Sequence, residues 1–558
     1  MEKTCTQCGQ EFEVTKEDLQ FYEDASPVIG GKKQLLPPPT LCSDCRFRRR
    51  LAMRNERSLH HRKSDLTGKQ IVSMYSPDKP FKVYDQDEWW SDRWNPVEYG
   101  RDVDFSKGFF EQLHELQKEV PHSSLYTTNV VNSYYTNYVL HSKDCYLIFG
   151  GGHDENCLFG RFIVHCTNTV DGLSLYSCER CYEGIASEKC YGCFFFMNCR
   201  NCSDCIMVED CTGCRNCIAC FGLKNAEYCI MNELLGKEEF ERRKSELFPL
   251  TRSTISALER QLTKLRSTLP HPSAHIYGSE DCTGDMISSS KNCHACFDVT
   301  DCEESKYLCY TPKGIHSEDC TYNAPDGVEW CYENCSTVGV RGCLFCFLLR
   351  YSQDLLYCIE CHNSRNLFGC VGMNKNEYCI LNKQYTKEQY EQLVLRIIEH
   401  MRTTGEWGEY FPIDFCPYGY NETVVQELFP ISADEARTHG WKWLPDEQTS
   451  QKYLGPQVSV PEQITEVDDG VCEKILRCEV TGKPFKIIPQ ELKFYRELHV
   501  PLPRKCPDER HRERMAKRNP RKLWTRTCQK CGRGIQTTYQ PSRPEIVYCE
   551  ECYLQTVY

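Results

Sequence analysis

The sequence predicts a mainly β protein with added α-helices, built on a duplicated, cysteine-lined β-solenoid of the parallel β-helix kind. Small cysteine-knuckle modules and helical linkers flank it. Three observations predict this. Fifteen cysteines lie between Cys145 and Cys229, and every gap between neighbours is a multiple of three. Many also recur at twelve: Cys166, Cys178, Cys190, Cys202 and Cys214 form one series, and Cys181, Cys193, Cys205, Cys217 and Cys229 another. Finally, CFGLKNAEYCIMN from Cys220 reappears as CVGMNKNEYCILN from Cys370, an offset of 150 residues. Self-similarity at a fixed period is the mark of a repeat architecture, and a period of three belongs to neither helix nor flat strand.

Reading every third residue from Val130 to Cys229, Asp154 is the only charged one. Such a set faces inward. It is mostly small, so the interior is narrow, with four inward residues per twelve-residue coil and coils about 4.8 Å apart. Asp or Asn often precedes the inward residue, as at Asp144, Asn156, Asn201, Asp204, Asp210, Asn216, Asp281, Asn292, Asp301, Asp319 and Asn334. Asx residues tolerate the left-handed backbone of a corner. Off-register apolar residues (Phe149, Phe159, Tyr191, Phe194, Phe195, Ile206) need either a cover from elsewhere in the chain or a wider coil of about 24 residues. The second copy, from Cys282, is less regular; it keeps the register from Cys331 to Cys379, with Cys335 out of step. Its cysteines, like those of the first copy, suit a narrow core as small hydrophobes. The competing reading is metal storage, as multiple zinc ions or an iron–sulfur cluster, or thiol redox chemistry. Only the scattered cations Arg180, Lys189, Arg200 and Arg215 lie near enough in sequence to activate thiols between Cys178 and Cys220, which favours packing.

The two ends carry a different cysteine pattern. Cys5 and Cys8 form a CxxCG knuckle, and Cys42 and Cys45 a second CxxC that opens the helix-like CRFRRRLAMRN, an arrangement of the treble-clef type. Cys528, Cys531, Cys549 and Cys552 repeat the chemistry as a zinc ribbon. Paired CxxC thiolates supply tetrahedral Zn²⁺ and leave no open position, so two structural zinc ions are expected. Residues 478–519 align with residues 5–55 as a degenerate copy: Cys478 and Cys506 remain, but Thr481 and Glu509 replace the equivalents of Cys8 and Cys45, and no metal is assigned there. The copy keeps its arginines. Arg46, Arg50, Arg54 and Arg57 lie about a helical turn apart, and Arg510, Arg514 and Arg518 match the first three. One reading makes these faces a docking surface for RNA phosphates or an acidic protein partner. The other pairs them internally with the acidic surplus, since the chain carries a net charge of −12.

In order, the chain divides into a treble-clef module (1–63), an aromatic-rich linker expected to cap the first coils (64–127), solenoid half one (128–232) and a helical insert (233–275). Solenoid half two (276–382), a helical and aromatic connector (383–470), the degenerate treble-clef copy (471–524) and the ribbon (525–558) follow. In the connector, Thr386 with Gln389 and Ser432 with Glu435 read as capping boxes, and Gly440 as a helix stop. With 41 cysteines but no leader-like N-terminus and no long apolar run, the expectation is a cytoplasmic location, reduced thiols and no membrane partner. No phosphate loop, nucleophile elbow or HExxH motif occurs, and no catalytic residue is assigned. His141 and His153, with Asp144 and Asp154, are the one conceivable polar site on a coil face.

The CxxCG…LCxxCRxRRRxxxRNE unit and the closing CxxCG…RPEIVYCEECY unit resemble a group of uncharacterised, candidate-phylum-type bacterial zinc-ribbon/treble-clef cysteine-rich proteins. The resemblance implies zinc at the eight terminal cysteines and carries no activity. The reading that follows is a zinc-binding, non-enzymatic scaffold with an RNA or protein partner on its arginine faces; the sequence sets no oligomeric state.

Overall fold

A computed structural model describes residues 1–445 and 454–557; residues 446–453 of the expected connector lie outside the described residues. The chain is mixed α/β. It packs as two compact units, each drawn from separated stretches. One comprises Met1–Leu125, Ala274–Leu444 and Arg521–Leu523; the other comprises Tyr126–Ser273, Pro445–Pro520 and Trp524–Tyr558. The N-terminal module therefore belongs with the second cysteine block, and the degenerate copy and C-terminal module with the first.

In the first block, one ladder runs Val131–Lys143–Glu155–Thr167–Glu179–Tyr191–Ser203–Arg215, parallel throughout, each residue pairing with one twelve further on. The triplet 143–145 accounts for all its donors. Lys143 N–H donates to Asp154 O (2.9 Å), one rung on, and Asp144 N–H to Val131 O (3.0 Å), one rung back. The inward residue has no strand partner, and Cys145 N–H donates instead to Ser133 Oγ (2.9 Å) of the preceding rung. A buried backbone N–H left alone would be costly, so the inward set favours small side chains that both accept and donate, which Ser and Cys do.

The middle residue of each triplet is left-handed. Asp144, Asn156, Asn201, Asp204, Asp210, Asn216, Asp281, Asn292, Asp301 and Asp319 all have φ between 47° and 56°, as expected of corner Asx residues. Tyr135, Phe159 and Arg180 do the same, against a cost of roughly 1–2 kcal/mol each. Their hydrogen bonds to the preceding rung, such as Phe159 N–H to Tyr146 O (2.9 Å), help to offset it. Asn334 departs from the expectation. It faces inward, donating to Cys343 O (2.8 Å) and accepting from Cys346 N–H (2.9 Å). That placement leaves Cys335 off the inward register.

The second block is irregular where its spacing is. The pairing Cys282–Cys293 gives way to Gly284–Cys296 across a register shift. Gly284 has φ +141°, and a Cβ there would sit 1.7 Å from Cys296 O, so no other residue fits. Strand Lys291–Thr300 is long enough to pair with both Glu303–Lys306 and Cys309–Pro312. Both of these pair with Glu318–Thr321, closing a ring of four parallel strands. Each block ends in the same device: Glu233–Leu234 turns back antiparallel on Cys229–Ile230, and Lys383–Gln384 on Cys379–Ile380. The two-residue turns, Met231–Asn232 and Leu381–Asn382, have positive φ throughout, as a type I′ hairpin requires.

Most off-register apolar residues are covered by other segments, and the pairing step is twelve through the first block, with steps of eleven and fourteen as well in the second. Leu158, Phe159, Val170 and Tyr182 are buried with Leu492, Phe494 and Tyr495 of helix Pro489–Leu498. Ile206, Ile218 and Phe221 are buried with Phe240, Leu258 and Leu262 of the insert helices Lys237–Leu247 and Arg252–Thr268. Tyr191 stays 43 % exposed. Of residues 64–127, expected on the first coils, 64–125 pack with the second block instead, and only Tyr126 and Thr127 join the first. Phe109 packs against Phe368 (centroids 5.1 Å) and Trp90 against His362 (4.9 Å). The capping boxes at Thr386 and Ser432 form, and Gly440 follows the second helix in the left-handed region.

Candidate metal centres

Hairpin Glu2–Thr4/Glu11–Glu13 presents Cys5 and Cys8, and Cys42 caps helix Ser43–Leu51, which carries Cys45. Their four sulfurs lie within 4.8 Å of one another. Hairpin Trp524–Thr527/Gly534–Thr537 and helix Glu550–Val557 gather Cys528, Cys531, Cys549 and Cys552 in the same way. A tetrahedron of metal–sulfur bonds of about 2.3 Å has edges of about 3.8 Å; Cys8–Cys42 measures 3.7 Å and Cys531–Cys549 3.8 Å. The residues fit the ion. Burial pushes the Cys528 thiol up, but backbone groups of Cys531, Cys549 and Lys530 more than offset it and hold it down at about 6.

The interior thiols are differently employed. Cys181 Sγ donates to Glu179 O (3.3 Å) and lies 3.4 Å from Cys190 O, and the same pair of carbonyls, two before and nine after, serves Cys193, Cys202 and Cys214. Cys346 Sγ in turn accepts the N–H of Cys358 (3.3 Å). Burial pushes the thiols of Cys157, Cys199, Cys296 and Cys358 well up, which keeps them neutral. Hydrogen bonds from Cys190 and Cys199 draw Cys193 and Cys211 down to about 6, yet both sulfurs are fully buried.

The arginine faces do not form an outward docking surface. Helix Ser43–Leu51 ends before Arg54 and Arg57. Arg46 Nε meets Asp319 at 2.7 Å, and Arg50 meets Asp319 at 2.9 Å and Glu333 at 3.2 Å, all with side chains at most 3 % exposed. Arg54 bonds Glu56 (2.6 Å) and Ser336 Oγ (2.7 Å), while Arg57 is half-buried. In the other unit, Arg510 and Arg514 meet Asp171 at 3.4 and 2.9 Å, Arg510 also meets Glu491 at 3.2 Å, and Arg518 bonds Ser174 Oγ at 2.9 Å. Buried carboxylates on the cysteine blocks, Asp319, Glu333 and Asp171, take up the charges of Arg46, Arg50, Arg510 and Arg514, so for these four the internal pairing is the one realised. Burial works against the charge of Arg46 and Arg510, but the carboxylates around them, led by Asp319 and Asp171, raise both well above the ordinary value.

Thr481 Oγ1 lies 3.8 Å from Cys506 Sγ, in the place of a metal ligand, while Glu509 is engaged by Arg512 (2.9 Å). Among the described residues no metal-type cluster forms there. His141, His153 and His165 stack along successive corners at 4.9 and 4.7 Å, but Asp154 points inward, where its Oδ1 accepts from Cys166 N–H (2.9 Å). The expected histidine–aspartate site is therefore split. A cluster not foreseen from sequence joins Glu209, Asp210 and His271 within 4.8 Å. Arg266 ion-pairs Glu209 (3.2 Å), and its carbonyl lies 3.3 Å from His271 Nε2. Glu209 and Asp210 are neighbours, but His271 is too far along the chain to be linked to them by spacing. No helix among the described residues is long and apolar enough to cross a membrane. No family model matches the chain, and no curated protein matches it either.

Proposed function

We propose that the chain is a zinc-binding, non-catalytic scaffold. In this reading each cysteine block is a β-solenoid with one coil per twelve residues, the two blocks are a duplication, and the terminal modules are a treble clef and a zinc ribbon that clamp them. The observation that carries it is the closed geometry of the two Cys₄ sets, whose measured edges of 3.7 and 3.8 Å suit a tetrahedral ion with no vacant position. The interior thiols support the same reading, because they satisfy backbone groups that a narrow core strands. The arginines serve the scaffold itself by docking the modules on buried acids.

Metal quantification on purified protein tests this. About two zinc ions per chain are expected, falling by one in Cys8→Ser and by one in Cys531→Ser. Many more ions per chain, or any iron, would favour storage or cluster chemistry in the cores and overturn the packing role.

A further inference from the structure

Residues Arg62–Trp90, part of the aromatic-rich linker, align without a gap on Arg526–Leu554. Arg62, Gly68, Ile71, Tyr75, Pro77, Pro80, Val83 and Tyr84 match Arg526, Gly532, Ile535, Tyr539, Pro541, Pro544, Val547 and Tyr548. The metal ligands Cys528, Cys531, Cys549 and Cys552 fall on Ser64, Thr67, Asp85 and Glu88. We infer that residues 62–90 form a metal-free knuckle module in which a carboxylate–hydroxyl cluster stands where the C-terminal module holds its ion. The inference rests on the zinc reading of that C-terminal set.

The backbone supports the equivalence bond by bond. Hairpin register is the same: Arg62 opposes Ile71 and Lys63 opposes Gln70, as Arg526 opposes Ile535 and Thr527 opposes Gly534. In the knuckle, Ser64 N–H donates to Lys69 O and Gly68 N–H to Ser64 O, both at 2.8 Å. Cys528 N–H to Arg533 O and Gly532 N–H to Cys528 O repeat this at 2.8 Å. The crossing bond from Asp65 N–H to Val83 O (2.9 Å) has its match in Gln529 N–H to Val547 O (3.1 Å). Gly68 and Gly532 share a left-handed φ of 76° and 77°. Even the neighbours agree. Val83–Tyr84 pairs in parallel with His122–Ser123, and Val547–Tyr548 with His271–Pro272.

At the ligand positions the chemistry has been exchanged. Ser64 Oγ and Thr67 Oγ1 each donate to one oxygen of the Glu88 carboxylate, and Asp85 N–H approaches Ser64 Oγ at 3.4 Å. Asp85 and Glu88 form a capping box on helix Gln86–Trp89. The carboxylate thus ties the knuckle to the helix, the task a metal performs in the C-terminal module. The same bonds recur at the other two knuckles. Cys5 N–H donates to Gln10 O at 2.8 Å and Cys478 N–H to Lys483 O at 2.9 Å. The described residues therefore contain four knuckles of one design. Each unit keeps one with a full cysteine set and one without, in opposite chain order: first with, then without in one unit, and the reverse in the other.

Restoring the ligands tests the inference. The variant S64C/T67C/D85C/E88C is expected to carry one zinc ion more per chain than the parent, and Glu88→Ala alone to leave the parent's zinc content unchanged. A folded quadruple variant with the parent's zinc content, or loss of zinc in Glu88→Ala, would overturn it. Should the quadruple variant not fold, hydrogen exchange on the parent during chelation decides. Protection is expected to fall about tenfold or more at Cys528, Gln529 and Gly532 while staying within about twofold at Ser64, Asp65 and Gly68. Equal loss at both sets would overturn the inference. The parent's own zinc count judges the zinc reading separately, because it does not depend on residues 62–90.

Discussion

Asp319→Ala is the sharpest probe of how the N-terminal module is held. The Asp319 side chain is fully buried and receives Arg46 at 2.7 Å and Arg50 at 2.9 Å. Removing it leaves Arg46 with the Leu41 carbonyl (2.8 Å) and no ion-pair partner among the described residues, and Arg50 with Glu333 (3.2 Å), without gaining water for either guanidinium. Breaking a buried pair from one side costs about 3–5 kcal/mol. At 1.36 kcal/mol per decade this is about two to four decades in the equilibrium for local opening. Hydrogen exchange at amides of helix Ser43–Leu51, such as Arg46 N–H bonded to Cys42 O, reads that equilibrium directly. Arg512→Ala is the control, because its side chain is 66 % exposed and pairs only locally with Glu509. It should change exchange by less than about fivefold. A change below about tenfold for Asp319→Ala would refute buried pairing as the task of these arginines.

Other outcomes follow from the same geometry. Chelation should unfold the Cys5–Cys45 knuckle and the C-terminal module while the parallel ladders persist, which limited proteolysis with mass spectrometry distinguishes. Native thiol titration should find Cys282 and Cys472 as the reactive sulfurs, because every other cysteine is buried or in a Cys₄ set; extensive modification without unfolding would contradict the packed core. Burial pushes the Asp154 carboxyl well above the usual range, so the folded chain holds a proton the unfolded chain releases. That contribution is complete at low pH and is lost as pH rises toward the folded pKa, by up to about 1.4 kcal/mol per pH unit. Asp154→Asn should therefore gain stability relative to the parent between pH 5 and 7 in urea unfolding; an unchanged difference would show that the carboxyl is not held neutral.

The register of three was legible because its cause is local: every third N–H faces inward and needs a small partner, so Ser142, Ser187 and the cysteines betray the fold one residue at a time. The Cys₄ sets were legible for a similar reason, since a CxxC carries its own geometry. The destination of the arginines was not. Helical spacing shows that Arg46 and Arg50 share a face but says nothing of what the face meets, and Asp319 read as a corner former like any other Asx residue. Asp171 and Glu183, which serve the other copy, gave no signal at all. The module at residues 62–90 escaped because it was sought by its cysteines; Gly68, Tyr75 and the Val83–Tyr84 pair carried the likeness after the sulfur had gone.

The hairpins that close the two cysteine blocks end their parallel ladders. A parallel ladder with a constant step has no inherent length, and its last rung offers donors and acceptors at the spacing that the first rung of another copy would accept. At Asn232 and Asn382 the chain reverses, and each side chain locks the reversal by accepting from and donating to one residue of the preceding rung: Phe221 at 3.0 and 2.8 Å, Val371 at 2.8 and 2.8 Å. A strand running the opposite way cannot extend a parallel register. Asn232 and Asn382 thus hold the reversals at which the two parallel ladders stop.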